Sequence, residues 1–379
     1  MRISLLFSLL LAMFMIPALS AADGSYWVFL GTGSNKSKGI YRVEFDSATG
    51  KLGKVEVAAE AVNPGFLAIH PKNTHLFAVG SITNAEGKKV DGVMSFTLDA
   101  KTGELKAINQ QPSIGGGPCH INCDREAKHV LVANYGGGST TVLPFDTDGK
   151  LSVASSFVQH KGTSVDKGRQ SAPHAHSVNL DAAGKFAMVA DLGLDKVLVY
   201  KYDSATGKIS PNDPPSVDTP PGGGPRHFAF HPSGKFAYVC NEMASSVTAM
   251  TYDSSKGEFK TLNTVTTLPK EHKGNSTAET VVHPNGKFVY VSNRGHNSIA
   301  IFAIDEKSGE VKAMGHQGEG INIPRNFNID PTGKWMIVGN QAGNSIVVFE
   351  VDAKTGQLKT TDQKAEVPAP ICVRFVPKS

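Results

Sequence analysis

Beyond the first two dozen residues, apolar positions fall in short runs separated by polar turns, and they almost never recur at helical spacing. The stretch around Phe228 illustrates the unit. Phe228–Phe230 is a short apolar run, His231-Pro232-Ser233-Gly234 is a tight-turn sequence, and Phe236–Val239 is a second run of aromatic and β-branched residues. Pro pre-sets φ in such a turn and Gly accepts the left-handed position, so the two runs predict an antiparallel hairpin. A polar turn, a third run over Ser246–Tyr252, an Asp-x-x-x-Gly turn and a fourth run complete the unit.

The unit repeats. Its turn reads HPKNTHLFAVG from His70, HPSGKFAYVCN from His231, HPNGKFVYVSN from His283 and DPTGKWMIVGN from Asp330. Looser copies start at Asp124 and Asp181, and a partial copy ends the chain in FVPKS. The intervals run from 46 to 57 residues. A four-stranded antiparallel unit at this period is a propeller blade. The C-terminus supplies only a first strand, Ile371–Phe375. The N-terminal part starts instead on a second strand, Tyr26–Leu30, followed by a third, Gly39–Phe45, and a fourth near Val55. Joined, these make one further blade. The prediction is an all-β, seven-bladed β-propeller of four-stranded antiparallel blades, with residues 23–379 as one domain closed by the C-terminal strand.

The beginning of the chain and its charge narrow the class. Arg2, the apolar stretch Ile3–Ile16 and the small residues Ala18, Ser20, Ala21 and Ala22 match a secretory signal peptide over residues 1–22. Export to the periplasm or the extracellular space is expected. No membrane association is expected after cleavage, since no other run is apolar enough to span a bilayer. The 38 Lys and Arg against 34 Asp and Glu are scattered, which leaves no basic patch for a nucleic-acid partner. Four cysteines do not make a disulfide framework in a chain of this length. Cys123 and Cys240 fall in apolar strands and read as buried thiols.

Positions that recur in the blades serve the fold, and positions that break their column are the candidates for chemistry. Asn134, Asp191, Asn241, Asn293 and Asn340 follow the second strand and read as residues that bond the backbone of the next turn. His231 and His283 read as turn residues at the base of the ring. The position before the first strand instead varies through Gly65, Cys119, His176, Arg226, Ala278, Arg325 and Ile371. The next varies through Phe66, His120, Ser177, His227, Glu279, Asn326 and Cys372, and the one after the recurrent Asn through Tyr135, Leu192, Glu242, Arg294 and Gln341. Arg226 and Glu242 are each eight residues from Gly234, so a regular hairpin sets them opposite each other at its open end. The same spacing about Gly184, Gly286 and Gly333 brings His176, Arg294, Arg325 and Gln341 to that end. One mouth of the channel is therefore expected to gather His176, Arg226, Glu242, Arg294 and Arg325, with His174, His120, His227, Asp191 and Gln341 behind them. Like charges placed together call for an anionic ligand. Gly115–Gly117, Gly136–Gly138 and Gly222–Gly224 open on the same face and match no phosphate-loop pattern.

The segments SAPHAHSV (Ser171–Val178), GGGPRHFAFHPSGKFAYVCNE (Gly222–Glu242) and VSNRGHNSIA (Val291–Ala300) resemble those of the lactonase propeller family. That family includes propeller 6-phosphogluconolactonases and fungal carboxymuconate-lactonising enzymes. The resemblance extends over the chain beyond the signal segment. It implies a site of one His, one Glu and two Arg, which by motif fall on His176 (with His174 as the alternative), Glu242, Arg226 and Arg294.

The activity it implies is hydrolysis of a sugar lactone. That chemistry needs an activated water, charge stabilisation on the carbonyl oxygen and a proton for the ring oxygen. His176 or Glu242 could act as base, and the Arg residues could serve the oxyanion and clamp a substrate carboxylate or phosphate. His174, Arg325, His120, His227 and Gln341 are the further substrate contacts. No cofactor and no metal are expected, because no compact His/Asp/Glu set has ligand spacing. No G-x-S-x-G elbow supports a Ser nucleophile. The same residues could close a lactone in the reverse sense, as in a muconate-type cycloisomerase. The non-enzymatic alternative is an exported propeller that binds a sugar or a protein. Export conflicts with 6-phosphogluconolactone, a cytosolic compound, unless the lactone is unphosphorylated or extracellular.

Overall fold

The apolar runs and their Gly/Pro turns become seven four-stranded antiparallel sheets in the computed structural model, which describes residues 24–379 apart from positions 35 and 271. The expected signal peptide, residues 1–22, lies outside the described residues. Blades one to six follow the chain in simple order over 62–112, 118–159, 175–218, 225–266, 276–317 and 324–366. Blade seven is composite. Pro370–Pro377 pairs antiparallel with Ser25–Thr32, and Gly39–Asp46 and Lys51–Glu60 continue outward. Across that seam Val28 faces Phe375 and Leu30 faces Val373. The seven-bladed propeller closed by the C-terminal strand is thus the observed architecture, and no helix occurs among the described residues.

The core lies between blades. The second strand of a blade is the most buried, as in Phe186–Asp191, whereas the outermost strand of blade seven is largely exposed. Tyr26, Val28 and Leu30 of blade seven pack with Ile337, Ile346 and Val348 of blade six. Tyr238 and Val247 of blade four pack in the same way with Val289 and Phe302 of blade five.

One contact recurs at every junction. The Asp-containing turn before each fourth strand ends on a glycine with positive φ, and the aromatic ring opening the second strand of the preceding blade lies on that glycine. The pairs are Trp27 on Gly103, His75 on Gly149, His129 on Gly207, Phe186 on Gly257, Phe236 on Gly309, Phe288 on Gly356 and Trp335 on Gly50. A Cβ added to Gly103 would stand 2.6 Å from the Trp27 ring, and one added to Gly50 would stand 2.5 Å from that of Trp335. The glycine is therefore required twice, by its backbone conformation and by the ring above it.

The inner hairpins depart from the regular register that counting from the turns predicts. Pro225 faces Asn241 and Phe228 faces Val239, so Arg226 sits in a bulge and does not face Glu242 across the ladder. Cys119, His176, Arg325 and Ile371 occupy the same bulge in their own blades, and the pairing also slips there in blades one and five. A bulged residue escapes the strict two-sided alternation of a strand and can be re-aimed. The column that breaks the sequence repeat is the bulge column.

Two smaller expectations are refined. The recurrent Asn residues bond partners other than the backbone of the following turn: Asn241 Nδ2 donates to Ser246 Oγ and to Thr248 Oγ1, both at 2.9 Å, Asn134 does the same with Ser139 and Thr141, and Asn293 and Asn340 donate to the Thr267 and Gly320 carbonyls of the loops before their blades. Asp191 does accept from a turn amide, that of Gly193. His283 behaves as a turn residue, taking the Asn285 amide on Nδ1, and also donates through Nε2 to the Gly333 carbonyl of the next blade. All four cysteines are free. Cys240 is buried as expected, but Cys123 is only half-buried.

The ring–glycine contact gives a direct test. Gly103→Ala should lower stability by roughly 1–3 kcal/mol beyond the cost at a control glycine, because the methyl group drives into the Trp27 ring. Gly87 is that control: its φ is +77° and nothing lies within 4 Å of an added Cβ. Equal melting-temperature losses for Gly103→Ala and Gly87→Ala would show that backbone strain alone matters.

Candidate active site

At the channel mouth opposite the tight turns, the bulges bring a carboxylate and a set of guanidiniums together. Glu242 follows the second strand of blade four, and its amide donates to Gly224 O at 2.7 Å. Arg169 Nη2 lies 2.9 Å from Oε1, Arg226 Nε 2.9 Å from Oε2 and Arg294 Nη2 3.0 Å from the same Oε2. Burial alone would raise the Glu242 pKa, but Arg226 and Arg294, helped by Arg169, hold it far below the usual carboxylate range.

His176 Nε2 stands 4.0 Å from Glu242 Oε2. Burial, reinforced by the charge of Arg226 and by His227, holds this imidazole well below its ordinary value of 6.5, so it is neutral at pH 7. Its Nδ1 side is covered by Cys119 Sγ at 3.7 Å, a thiol that burial pushes up to about 12 and thus keeps protonated.

The arginines differ in what they can reach. Arg226 is 2% exposed, donates through Nη1 to the Ala278 carbonyl, and lies behind Glu242. Arg294 donates to Thr277 O at 2.7 Å and borders the open space. Arg325 has no hydrogen-bond acceptor or carboxylate partner among the described residues. Burial, with Arg226 and Arg294 nearby, pulls its guanidinium down to about 9. Arginine stays charged at neutral pH, so the crowding remains as a cost that a bound anion would relieve. The cavity these groups border measures about 350 Å³ and is lined by Gly117, Pro118, Cys119, Tyr135, Arg169, His176, Glu242, Arg294 and Arg325.

The five residues expected at the front of the mouth do converge, although Arg226 does not line the cavity. Those expected behind them do not line it either. His174 stacks on Tyr135 at 4.6 Å between ring centres and donates from Nδ1 to Tyr135 O, which braces the rim. His120 and His227 lie one layer down the channel, the His227 ring 5.3 Å from that of His176. The backbone N–H of Gln341 donates to Ile323 O, and Gln341 is not part of the lining of this cavity. Asp191 is buried and holds His160 Nδ1 at 2.6 Å.

Two site residues were not anticipated. Tyr135, whose hydroxyl accepts from Arg169 Nη2 at 3.1 Å, shares its column with Glu242 and Arg294 and could have been found there. Arg169 lies on the 160–174 loop, which has no counterpart in the repeat. The one available signal was length, since the 57-residue interval between Asp124 and Asp181 is the longest. Buried Asp195 anchors this loop, accepting from Ser164 Oγ and Gln170 Nε2, and it also accepts from the Gly222 and Gly224 amides. The two other Gly-rich stretches pack backbone to backbone, Gly137 N donating to Gly116 O at 2.8 Å. Among the described residues, no group of three or more His, Cys, Asp or Glu is arranged to hold a metal ion.

Fold and site together define a propeller with a cationic, imidazole-containing pocket at one mouth. The chain belongs to the lactonase family of seven-bladed β-propellers, whose family model matches residues 27–375. It is 36% identical over 341 residues to the 6-phosphogluconolactonase of Bacillus subtilis (strain 168), covering 90% of this chain and 95% of the relative. Identity to the 6-phosphogluconolactonase of Formosa agariphila is 33% over 309 residues, covering 80% and 86% respectively. The solved structure of the periplasmic gluconolactonase of Pseudomonas aeruginosa is similar with a TM-score of 0.87 and 32% identity, covering 94% of this chain and 100% of that one. The protein is accordingly an enzyme of the lactonase class, a hydrolase of the 6-phosphogluconolactonase type.

The charge cluster has a pH signature. A carboxyl whose pKa is depressed by folding contributes stability in full above its unfolded value, and that contribution fades as the pH falls below it. Glu242→Gln should therefore cost about 3–5 kcal/mol at pH 7, where it strands the buried guanidiniums. The gap in melting temperature from the parent should narrow as the pH falls below the ordinary value of 4.5. A gap independent of pH between 7 and 3 would show that Glu242 acts by packing alone.

Proposed function

We propose that the protein hydrolyses a sugar lactone carrying an anionic group, without a metal, at the Glu242 mouth, with His176 as general base. One observation carries this reading: a neutral imidazole stands beside a carboxylate already claimed by three guanidiniums, while Arg325, in the same cavity, has no partner. Glu242 is then a poor base, because protonating it would leave Arg169, Arg226 and Arg294 uncompensated. Its role is to orient their planar forks. A substrate anion near Arg325 would offset the positive charge that depresses His176, so the base strengthens as substrate binds.

His176 takes a proton from water as the water oxygen bonds to the lactone carbonyl carbon. Arg294 stabilises the developing oxyanion. The bond from that carbon to the ring oxygen then breaks, and His176 returns the proton to the ring oxygen, leaving the hydroxy acid. Arg325 and Arg169 hold the phosphate or carboxylate of the substrate. The signal-peptide pattern and the periplasmic relative support a place outside the cytoplasm, in the periplasm or beyond the cell.

His176→Ala should lower kcat by roughly 10²–10⁴ on δ-gluconolactone or its 6-phosphate, measured against spontaneous opening. Parent-like turnover would place the base elsewhere. Arg325→Gln should raise KM for the phosphorylated lactone far more than for the neutral one, and equal effects would remove Arg325 as the anion anchor. Activity should persist in EDTA, whereas loss followed by recovery with calcium would overturn the metal-free mechanism.

A further inference from the structure

The far end of the channel holds polar groups that the mouth does not use. Beneath the mouth, a layer containing Phe66, His120, His227 and Glu279 narrows the axis. The Phe66 and His120 rings are 4.3 Å apart, those of His120 and His227 are 5.3 Å apart, and His227 Nδ1 is 2.9 Å from Glu279 Oε2. Strand alternation turns the residues two places further along toward the axis as well. In four blades these are Asn122, Asn179, Asn328 and Arg374. They line a cavity of about 360 Å³ at the rear of the channel. An adjoining space of about 160 Å³ under the Phe66 layer shares Asn179, Asn328, Arg374 and His120 with it.

Donors outnumber their partners in this cavity. Arg374 is held rigidly: Nε donates to Leu67 O at 3.1 Å, Nη1 donates to Val373 O at 2.9 Å, and the guanidinium lies 4.6 Å over the Phe66 ring. Its Nη2 has no acceptor, and no carboxylate pairs with it among the described residues. The amide nitrogen of Asn179 is buried and also lacks a partner. Those of Asn122 and Asn328 are committed to Val178 O and Val373 O. The other titratable groups bordering the space are His120, His227 and Glu279, the last of which also lies in the field of Arg374. Glu279, raised by burial, is engaged by Asn326, His227 and the Thr280 amide, and burial lowers His120 and His227. The rear cavity therefore presents one fixed cation and a buried, unpaired amide donor.

We infer that the rear cavity is a second ligand site, separate from the lactone site, which takes a small oxyanion on Arg374 Nη2 and Asn179 Nδ2. The oxyanion is an inorganic phosphate or the carboxylate of a compact sugar acid. This inference does not depend on the lactonase mechanism, because none of its residues borders the mouth.

The test uses the full chain carrying Arg325→Gln, so that anion binding at the mouth is weakened. Inorganic phosphate and gluconate are titrated separately by calorimetry, and crystals are soaked in selenate. One equivalent should bind, and an anomalous peak should lie within hydrogen-bond distance of Arg374 Nη2 and Asn179 Nδ2. The titrant that binds identifies the source of the oxyanion. Asn179→Asp keeps the size and places a carboxylate in the cavity with Arg374. It should weaken binding at least tenfold while the protein melts no lower, and lactone hydrolysis in an otherwise unchanged chain should be unaffected. Arg374→Gln should also abolish binding. If that variant does not fold, Asn179→Asp decides alone. An empty rear cavity with selenate, or affinity unchanged in Asn179→Asp, overturns the inference.

Discussion

A closed ring of seven sheets must set the spacing of neighbours identically at each junction, and here an aromatic ring laid on a bare glycine does so seven times. The contact is intolerant because the glycine has a positive φ and no room for a side chain. Some rings are also tied by their polar edge: Trp335 Nε1 donates to Ser47 O at 2.8 Å in the turn that ends on Gly50. Apolar side chains between blades supply most of the buried area, but such packing is non-directional and would tolerate small rotations. The ring–glycine contact does not. It holds the inner strands at the separation on which both ends of the channel depend.

Given that separation, the bulge decides what each inner strand presents. Without it, strict alternation would send Arg226, His176 and Arg325 to the side of the strand that packs between blades, where an unpaired guanidinium is expensive. With it, the bulged residue turns to the mouth and the next one turns into the channel. A single repeated backbone irregularity thus produces a cationic mouth layer, a narrowing layer of His120, His227 and Glu279, and a rear layer containing Arg374 and the three asparagines.

The mouth is organised around one carboxylate. Glu242 is buried with Arg226 behind it, Arg294 beside it and Arg169 reaching in from a loop. This arrangement fixes three side chains that are otherwise flexible, and in the proposed mechanism it gives up Glu242 as a base. It also leaves the pocket short of negative charge, since Arg325 has no counterpart. The pocket and the imidazole are thereby matched, because an anion that enters to relieve the arginines also raises the basicity of His176.

Blade number, closure and the residues that gather at one mouth were legible in the sequence, because each is a matter of periodicity. A fifty-residue repeat counts blades, its split ends reveal the seam, and a residue that breaks a column stands out whatever its contacts. Register was not legible: eight residues on each side of Gly234 describes a regular ladder, and only backbone pairing in three dimensions shows that Arg226 is bulged and that Pro225 faces Asn241 instead. The loop carrying Arg169 escaped for a related reason, since it lies outside the repeat and is placed by Asp195, some thirty residues away. Nor could the sequence show which of His176 and Glu242 the arginines claim. That depends on how many cations surround each group and how deeply it is buried, and those are sums over residues drawn from several blades. By itself the chain determined how many blades form and which residues approach the mouth; tertiary structure decided which of them touch, because charge and burial act through space and not along the sequence.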